Sequence, residues 1–209
     1  AVVGGVLLAA DLLVEAGERR LSRDELFVIA TELEGHADNV APAFFGGFTV
    51  CWHEEDGTPR YARFEHMSGL AAIVVPGIAE ISTREARALL PLEIAHKDAA
   101  FNVAHAGLLA ASIVAGTPEY LREAFKDRLH QPYRAANISD LDTISDILLE
   151  AGCDGVALSG SGPTVIGFVA CEGDEAAYQR AIKIAARAEA PALELGTRRT
   201  PLPLELCRL

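Results

Sequence analysis

The residue pattern predicts a mixed helix-and-strand chain in two units, the second beginning near Met67. Three observations carry this. Apolar residues recur at helix spacing over 3–14 and again over 26–33, and a hairpin pattern follows at Phe48–Trp52 and Tyr61–His66. Leu70–Val75 is then an unbroken apolar run closed by Pro76-Gly77, as expected of a strand buried on both faces.

Each element has its own signals. Val3, Val6, Leu7, Ala10, Leu13 and Val14 mark a first helix that Gly17 ends. Ser22 followed by Glu25 makes a capping box for the second, whose apolar face is Leu26, Ile29, Ala30 and Leu33 and whose end is Gly35. Ser82-Thr83-Arg84-Glu85 caps a short helix through Leu90, with Arg84 and Arg87 on one side, and Pro91 stops it. A long Ala- and Leu-rich helix runs from Glu93 to Ala115, Gly116 ends it, and Thr117-Pro118 starts another. His96 and His105 read as ordinary residues of these helices. Leu129–Arg134 reads as irregular because Pro132 disfavours helix just before it. Leu141–Leu149 returns to helix. Gly155–Leu158 and Thr164–Val169 read as strands around the turn Ser159-Gly-Ser-Gly-Pro163, Ala176–Ala188 as the last helix, and Ala192–Leu195 and Leu204–Cys207 as terminal strands.

With 209 residues, half of them hydrophobic, the chain can bury a sizeable core. Its net charge of -12 argues against nucleic acid or an anionic membrane as the main partner, since both require basic surface. No apolar run reads as long enough to span a bilayer, and Val2–Leu13 lacks a basic leader, so the expectation is a soluble, cytoplasmic protein. The four cysteines have no paired spacing for zinc or a redox dithiol. Cys51, Cys171 and Cys207 read as small buried hydrophobes in strands, and Cys153 as a turn residue.

The densest packet of chemistry is Glu34-Gly-His-Ala-Asp-Asn-Val-Ala-Pro42, which begins where the second helix stops. Two carboxylates, an imidazole and a carboxamide within one turn can converge on a ligand, although Asp, Asn and Gly are also ordinary loop formers. The turn at 159–163 opens no helix and carries no lysine, so neither a Walker loop nor a dinucleotide fingerprint fits. Its small hydroxyls between glycines still allow backbone donors to approach an anion closely, beside the plain alternative of a flexible hairpin turn.

Four motifs, the packet at 34–42, Ser82-Thr-Arg-Glu-Ala-Arg87 with Leu90-Pro91, His130-Gln-Pro-Tyr-Arg134 and Leu158-Ser-Gly-Ser-Gly-Pro-Thr164, together resemble the homoserine kinases of the GHMP kinase superfamily. The resemblance runs through most of the chain. It implies an α+β fold: residues 1–66 as the remainder of the superfamily's N-terminal domain, related to the second domain of ribosomal protein S5, and 67–209 as a ferredoxin-like C-terminal domain. Members of the superfamily carry a strand-rich segment and a Gly-rich phosphate loop ahead of the helix that begins here. The chain therefore resembles their C-terminal part, expected to be inactive alone.

The implied reaction transfers the γ-phosphoryl group of ATP to the hydroxyl of L-homoserine. By the same resemblance Glu34 binds Mg2+, His36 and Asp38 lie on the substrate side, and Arg87 and Arg134 clamp the substrate carboxylate. Ser159, Gly160, Ser161, Gly162 and Thr164 lie beside the nucleotide. Asn39 stands where related sugar and mevalonate kinases place a catalytic aspartate, which implies positioning in place of a base. A homodimer is suggested by the family alone. The alternatives are another GHMP small-molecule kinase, or a non-catalytic amino-acid-binding module without the ATP loop.

Overall fold

A computed structural model describes residues 1–77, 83–194 and 201–205, with side chains described for 1–77, 85–192 and Pro201. The chain divides into two compact units, the first spanning Ala1–His66 and the second starting at Met67.

In the first unit, helices α1 (Val2–Glu15), α2 (Arg23–Glu34) and α3 (Val40–Phe45) precede a hairpin of β1 (Phe48–His53) and β2 (Pro59–Phe64). The start of α2 is the capping box its sequence implies. Ser22 Oγ accepts from the Glu25 amide, while the Glu25 carboxylate accepts from the Ser22 amide and from Arg19. Those donors, the Arg19 guanidinium foremost, hold the Glu25 carboxyl down at about 2. Gly35 ends the helix at φ 86°, a left-handed conformation natural to glycine, and its amide bonds Thr31 O. The core is one cluster of Val6, Leu26, Phe27, Ala30, Ala37, Val40, Ala41 and Phe44. The rings of Phe45 and Tyr61 stack at 4.0 Å, and Phe27 meets both edge-on at 5.7 and 5.1 Å.

The second unit is built on a four-stranded antiparallel sheet of β3 (Leu70–Val75), β4 (Gly155–Leu158), β5 (Val165–Ala170) and β6 (Leu202–Glu205), in the order β4-β5-β3-β6. Helices fill the connection from β3 to β4: α4 (Thr83–Ala88), α5 (His96–Ala115), a 3-10 turn at Pro118–Tyr120, α6 (Leu121–Ala124), α7 (Gln131–Ala135) and α8 (Leu141–Ala151). Helix α9 (Asp174–Glu194) joins β5 to β6. A βαββαβ chain with this strand order is the ferredoxin-like arrangement. Strand β3 lies at the centre, buried at five of its six positions, as an unbroken apolar run requires. Its Ala71, Ile73 and Val75 join Val165 and Val169 of β5 under Ile144, Leu148, Ala181 and Ile184 of α8 and α9. On the opposite face Phe168 stacks on Phe125 at 5.0 Å.

Four local expectations are corrected. Residues 131–135 are helical: Pro132 falls in the first turn of α7, where a missing N–H leaves no bond broken. Residues 192–194 continue α9 past Pro191, with Ala188 and Ala192 both buried on its core side, while Leu195 lies outside the described residues. Cys171, just beyond β5, is exposed, whereas Cys153 is the buried thiol, and burial pushes it up to about 12. Cys207 lies outside the described residues. Finally, α5 at 20 residues is long and apolar enough to cross a membrane by length and composition. It is nonetheless tied to its own unit by polar side chains, Asn102 bonding Asp127 and His105 bonding Glu123.

Candidate functional site

Residues 34–42 are fixed by alternating burial. Ala37, Val40 and Ala41 are core residues of the first unit, and between them Asp38 and Asn39 face outward, as does Glu34 on the last turn of α2. The Ala41 amide bonds Ala37 O at 2.8 Å, and the Cys51 thiol donates to the same carbonyl at 3.6 Å. The polar groups thus stand on a loop whose apolar members are packed, which limits how far they can wander. His36 Nδ1 lies 2.7 Å from Asp38 Oδ1, close enough for an ion pair, but finds no hydrogen-bond partner of acceptable direction. Asp38 Oδ1 also accepts from the Asn39 amide at 3.1 Å. Asn39 occupies the position before α3 without capping it, so its carboxamide is not spent on the helix.

The second unit brings together two motifs that lie 26 residues apart. Arg134 Nη1 donates to Gly160 O at 2.8 Å, which places the His130–Arg134 segment against the glycine turn. Its Nη1 also lies 3.5 Å from His130 Nδ1, and its buried Nε has no partner. In the turn, Ser159 N bonds Thr164 O and Gly162 N bonds Ser159 O, whereas the amides of Gly160 and Ser161 have no partner among the described residues. Gly160 and Gly162 sit at φ 59° and 79°, and a Cβ on Gly162 would come within 2.9 Å of Ile138 Cδ1. Thr164 Oγ1 accepts from the Gly77 amide at 3.4 Å, which commits its oxygen to the end of β3. The Arg87 side chain, exposed on α4, has no hydrogen bond or ion pair among the described residues, and the side chain of Arg84 and all of Ser82 lie outside them.

Sequence reasoning missed Asp127 and gave Gln131, inside the motif at 130–134, no role of its own. The Asp127 carboxylate accepts from the amides of Leu129, His130 and Gln131 at 3.2, 2.8 and 2.6 Å and from Asn102 Nδ2. Burial opposes its charge, but the Asn102 amide and these backbone donors outweigh burial and hold the carboxyl below the usual range. The available signal was an acid three residues before the His-Gln-Pro segment. For His130, burial lowers its proton affinity, the Asp127 charge works against this, and the Arg134 charge adds to it. A histidine whose folded value lies below its ordinary 6.5 contributes stability that is complete above that pH and is lost as pH falls through the folded value. Melting temperatures followed from pH 8 down to 5 should fall through this window, and the His130→Gln variant should show a flatter fall.

Among the described residues, no group of three or more His, Cys, Asp or Glu side chains forms a metal cage. Magnesium keeps much of its water and needs only one or two protein carboxylates beside phosphate oxygens. Glu34 offers one such exposed carboxylate on the last turn of α2, and one turn earlier the Thr31 hydroxyl is buried with no partner among the described residues.

Residues 109–188 match the family described as GHMP kinases C terminal. The chain is 41% identical over 166 residues to a homoserine kinase of Clavibacter michiganensis, covering 79% of this chain and 51% of that protein. It is 42% identical over 172 residues to one of Caldicellulosiruptor bescii, covering 81% and 54%. The chain thus spans about half the length of the curated relatives it matches. The crystal structure of homoserine kinase from Cytophaga hutchinsonii superposes with a TM-score of 0.82 at 25% identity, over 98% of this chain and 63% of that one. On its motifs, its ferredoxin-like sheet and these matches, the chain is similar to homoserine kinases over about four-fifths of its length and carries the GHMP kinases C-terminal match over residues 109–188.

Proposed function

We propose that the chain forms the acceptor side of an ATP-dependent kinase that phosphorylates the hydroxyl of L-homoserine, in the cytoplasm. Its first unit is then the continuation of a GHMP N-terminal domain and its second the GHMP C-terminal domain. The observation that carries this reading is the packed loop at 34–42, with Glu34, Asp38 and Asn39 outward and its core residues inward. Likeness to homoserine kinases over about four-fifths of the chain supports the choice of substrate.

Magnesium-bound ATP supplies the phosphoryl group and the charge that offsets its oxygens. Glu34 would hold the metal. The Asp38 carboxylate accepts from the homoserine ammonium, and His36 sets the orientation of that carboxylate. Arg134 and Arg87 donate to the substrate carboxylate, for which a planar guanidinium fork is well shaped. The Gly160 and Ser161 amides, without a partner among the described residues, are the donors of the glycine turn left to meet an anionic oxygen, while Ser159, Gly162 and Thr164 shape it. Asn39 cannot accept a proton as a base. It orients the attacking hydroxyl, whose proton leaves to phosphate or solvent, so rate derives from positioning and electrostatics.

The test is coupled ADP detection on the complete gene product with homoserine, threonine, mevalonate and galactose as acceptors, alongside calorimetry with homoserine and with ATP. Homoserine should give at least a tenfold higher kcat/KM than the others, about 1.4 kcal/mol of discrimination. No homoserine-dependent ADP would sink the reading. Binding of homoserine without binding of ATP would point to an amino-acid-binding module.

A further inference from the structure

The His130–Arg134 segment is held in place by groups that no substrate role requires. Asp127, whose side chain is only 6% exposed, takes four donors on its two carboxylate oxygens. Three of these are successive backbone amides, so the carboxylate fixes the chain path into α7. The fourth, from Asn102, fastens the carboxylate to α5, and Asn102 Oδ1 in turn accepts from the Arg128 amide at 2.9 Å. Arg128 adds a second clip, reaching Asp98 at 3.2 Å while lying 3.9 Å over the Phe101 ring.

On the far side of the turn, Gln131 continues the connection. Its Oε1 accepts from the Leu158 amide at 2.8 Å and its Nε2 donates to Phe125 O at 3.2 Å. Strand β4 is an edge strand, so without Gln131 the Leu158 amide would lose its partner on the open side. One helical turn on from His130, Arg134 meets Gly160, two residues beyond Leu158. A five-residue helix cannot hold a register by itself, because its nucleation cost is barely offset over so few bonds. The path of α7 therefore depends on its two side-chain anchors.

We infer that Asp127 is a positioning residue for phosphoryl transfer, setting the guanidinium of Arg134 and the carbonyl of Gly160 in register through α7 and Gln131. This rests on the substrate role proposed for Arg134. The chemistry asks for a permanent acceptor at this point. An asparagine there would turn a donor pair towards either the amides of His130 and Gln131 or those of Leu129 and Asn102, leaving at least one of them facing another donor.

Asp127→Asn tests it in the complete protein, with steady-state kinetics, melting temperature and the nitrogen-15 NMR signals of Arg134 Nε and the Gly160 amide as readouts. KM for homoserine should rise about 10- to 100-fold with KM for ATP unchanged, and both NMR signals should move. Leu148→Ala, a core change at a side chain that takes no part in these hydrogen bonds, is the control for lost stability: it should lower the melting temperature and leave homoserine KM and both signals in place. The inference is overturned if Asp127→Asn behaves like that control. Arg134→Ala separates the two claims. If that change leaves homoserine KM alone, the substrate role of Arg134 falls and with it the link to phosphoryl transfer, and the NMR signals then decide the geometry alone: displaced in Asp127→Asn, Asp127 sets the register of Arg134 and Gly160; unmoved, it does not.

Discussion

Replacing Arg134 with alanine is expected to raise KM for homoserine steeply while KM for ATP and the melting temperature change little. Truncating one partner of a buried, hydrogen-bonded charge pair costs about 2–4 kcal/mol, or roughly 30- to 900-fold in kcat/KM. Two observations set that range. The Arg134 Nε is buried without a partner, so the protein already carries the cost of desolvating it and a carboxylate that arrives recovers it. Among the described residues the guanidinium makes one short hydrogen bond, from Nη1 to Gly160 O, which leaves donors for a fork on the substrate. Arg134→Lys should recover little, because a single ammonium cannot make the paired contact. Steady-state kinetics with varied homoserine at saturating ATP measures the effect, and an unchanged homoserine KM would remove Arg134 from the carboxylate clamp.

The same arginine shows where reading a sequence stops. The motifs at 130–134 and 158–164 could each be picked out, but nothing in the pattern joins residues 26 apart, and the Arg134 to Gly160 bond is a product of tertiary packing. Signals confined to one turn of chain were fully readable. The Ser22 and Glu25 capping box and the left-handed Gly35 depend only on their neighbours, and both form as the residues imply. The unbroken run at 70–75 likewise announced the central strand, since only a strand covered on both faces can spend six apolar residues in a row. Helix α7 went the other way. Pro132 argues against helix unless the amides ahead of it are already satisfied, and they are satisfied by Asp127, a residue just outside the motif. The expected burial of Cys171 failed for a similar reason. Cys153 is buried because Gly167 of β5 leaves room for it, a Cβ on that glycine falling 2.7 Å from the sulfur, whereas Cys171 stands past the strand end in the open.

Phe27→Ala carries the largest expected effect on stability, about 3–5 kcal/mol by loss of buried area and the cavity left behind. Phe27 is 1% exposed, sits edge-on to both Phe45 and Tyr61, and belongs to the same cluster as Ala37, Val40 and Ala41. That cluster has eight buried apolar residues, three of them alanines, and the large rings beside Phe27, those of Phe45 and Tyr61, are already stacked on each other, so the space is not readily refilled. The consequence should reach the 34–42 loop, because those three residues hold its inward side while Asp38 and Asn39 face out. Denaturant unfolding read by the ellipticity of the whole chain should show an early transition for the first unit and an unshifted one for the second, in place of the near-coincident loss expected of the parent. Homoserine KM should rise together with this loss at temperatures where the first unit is partly open. If the variant unfolds with the parent's midpoint, the Phe27 ring does not hold that core, and the packing account of the loop fails with it.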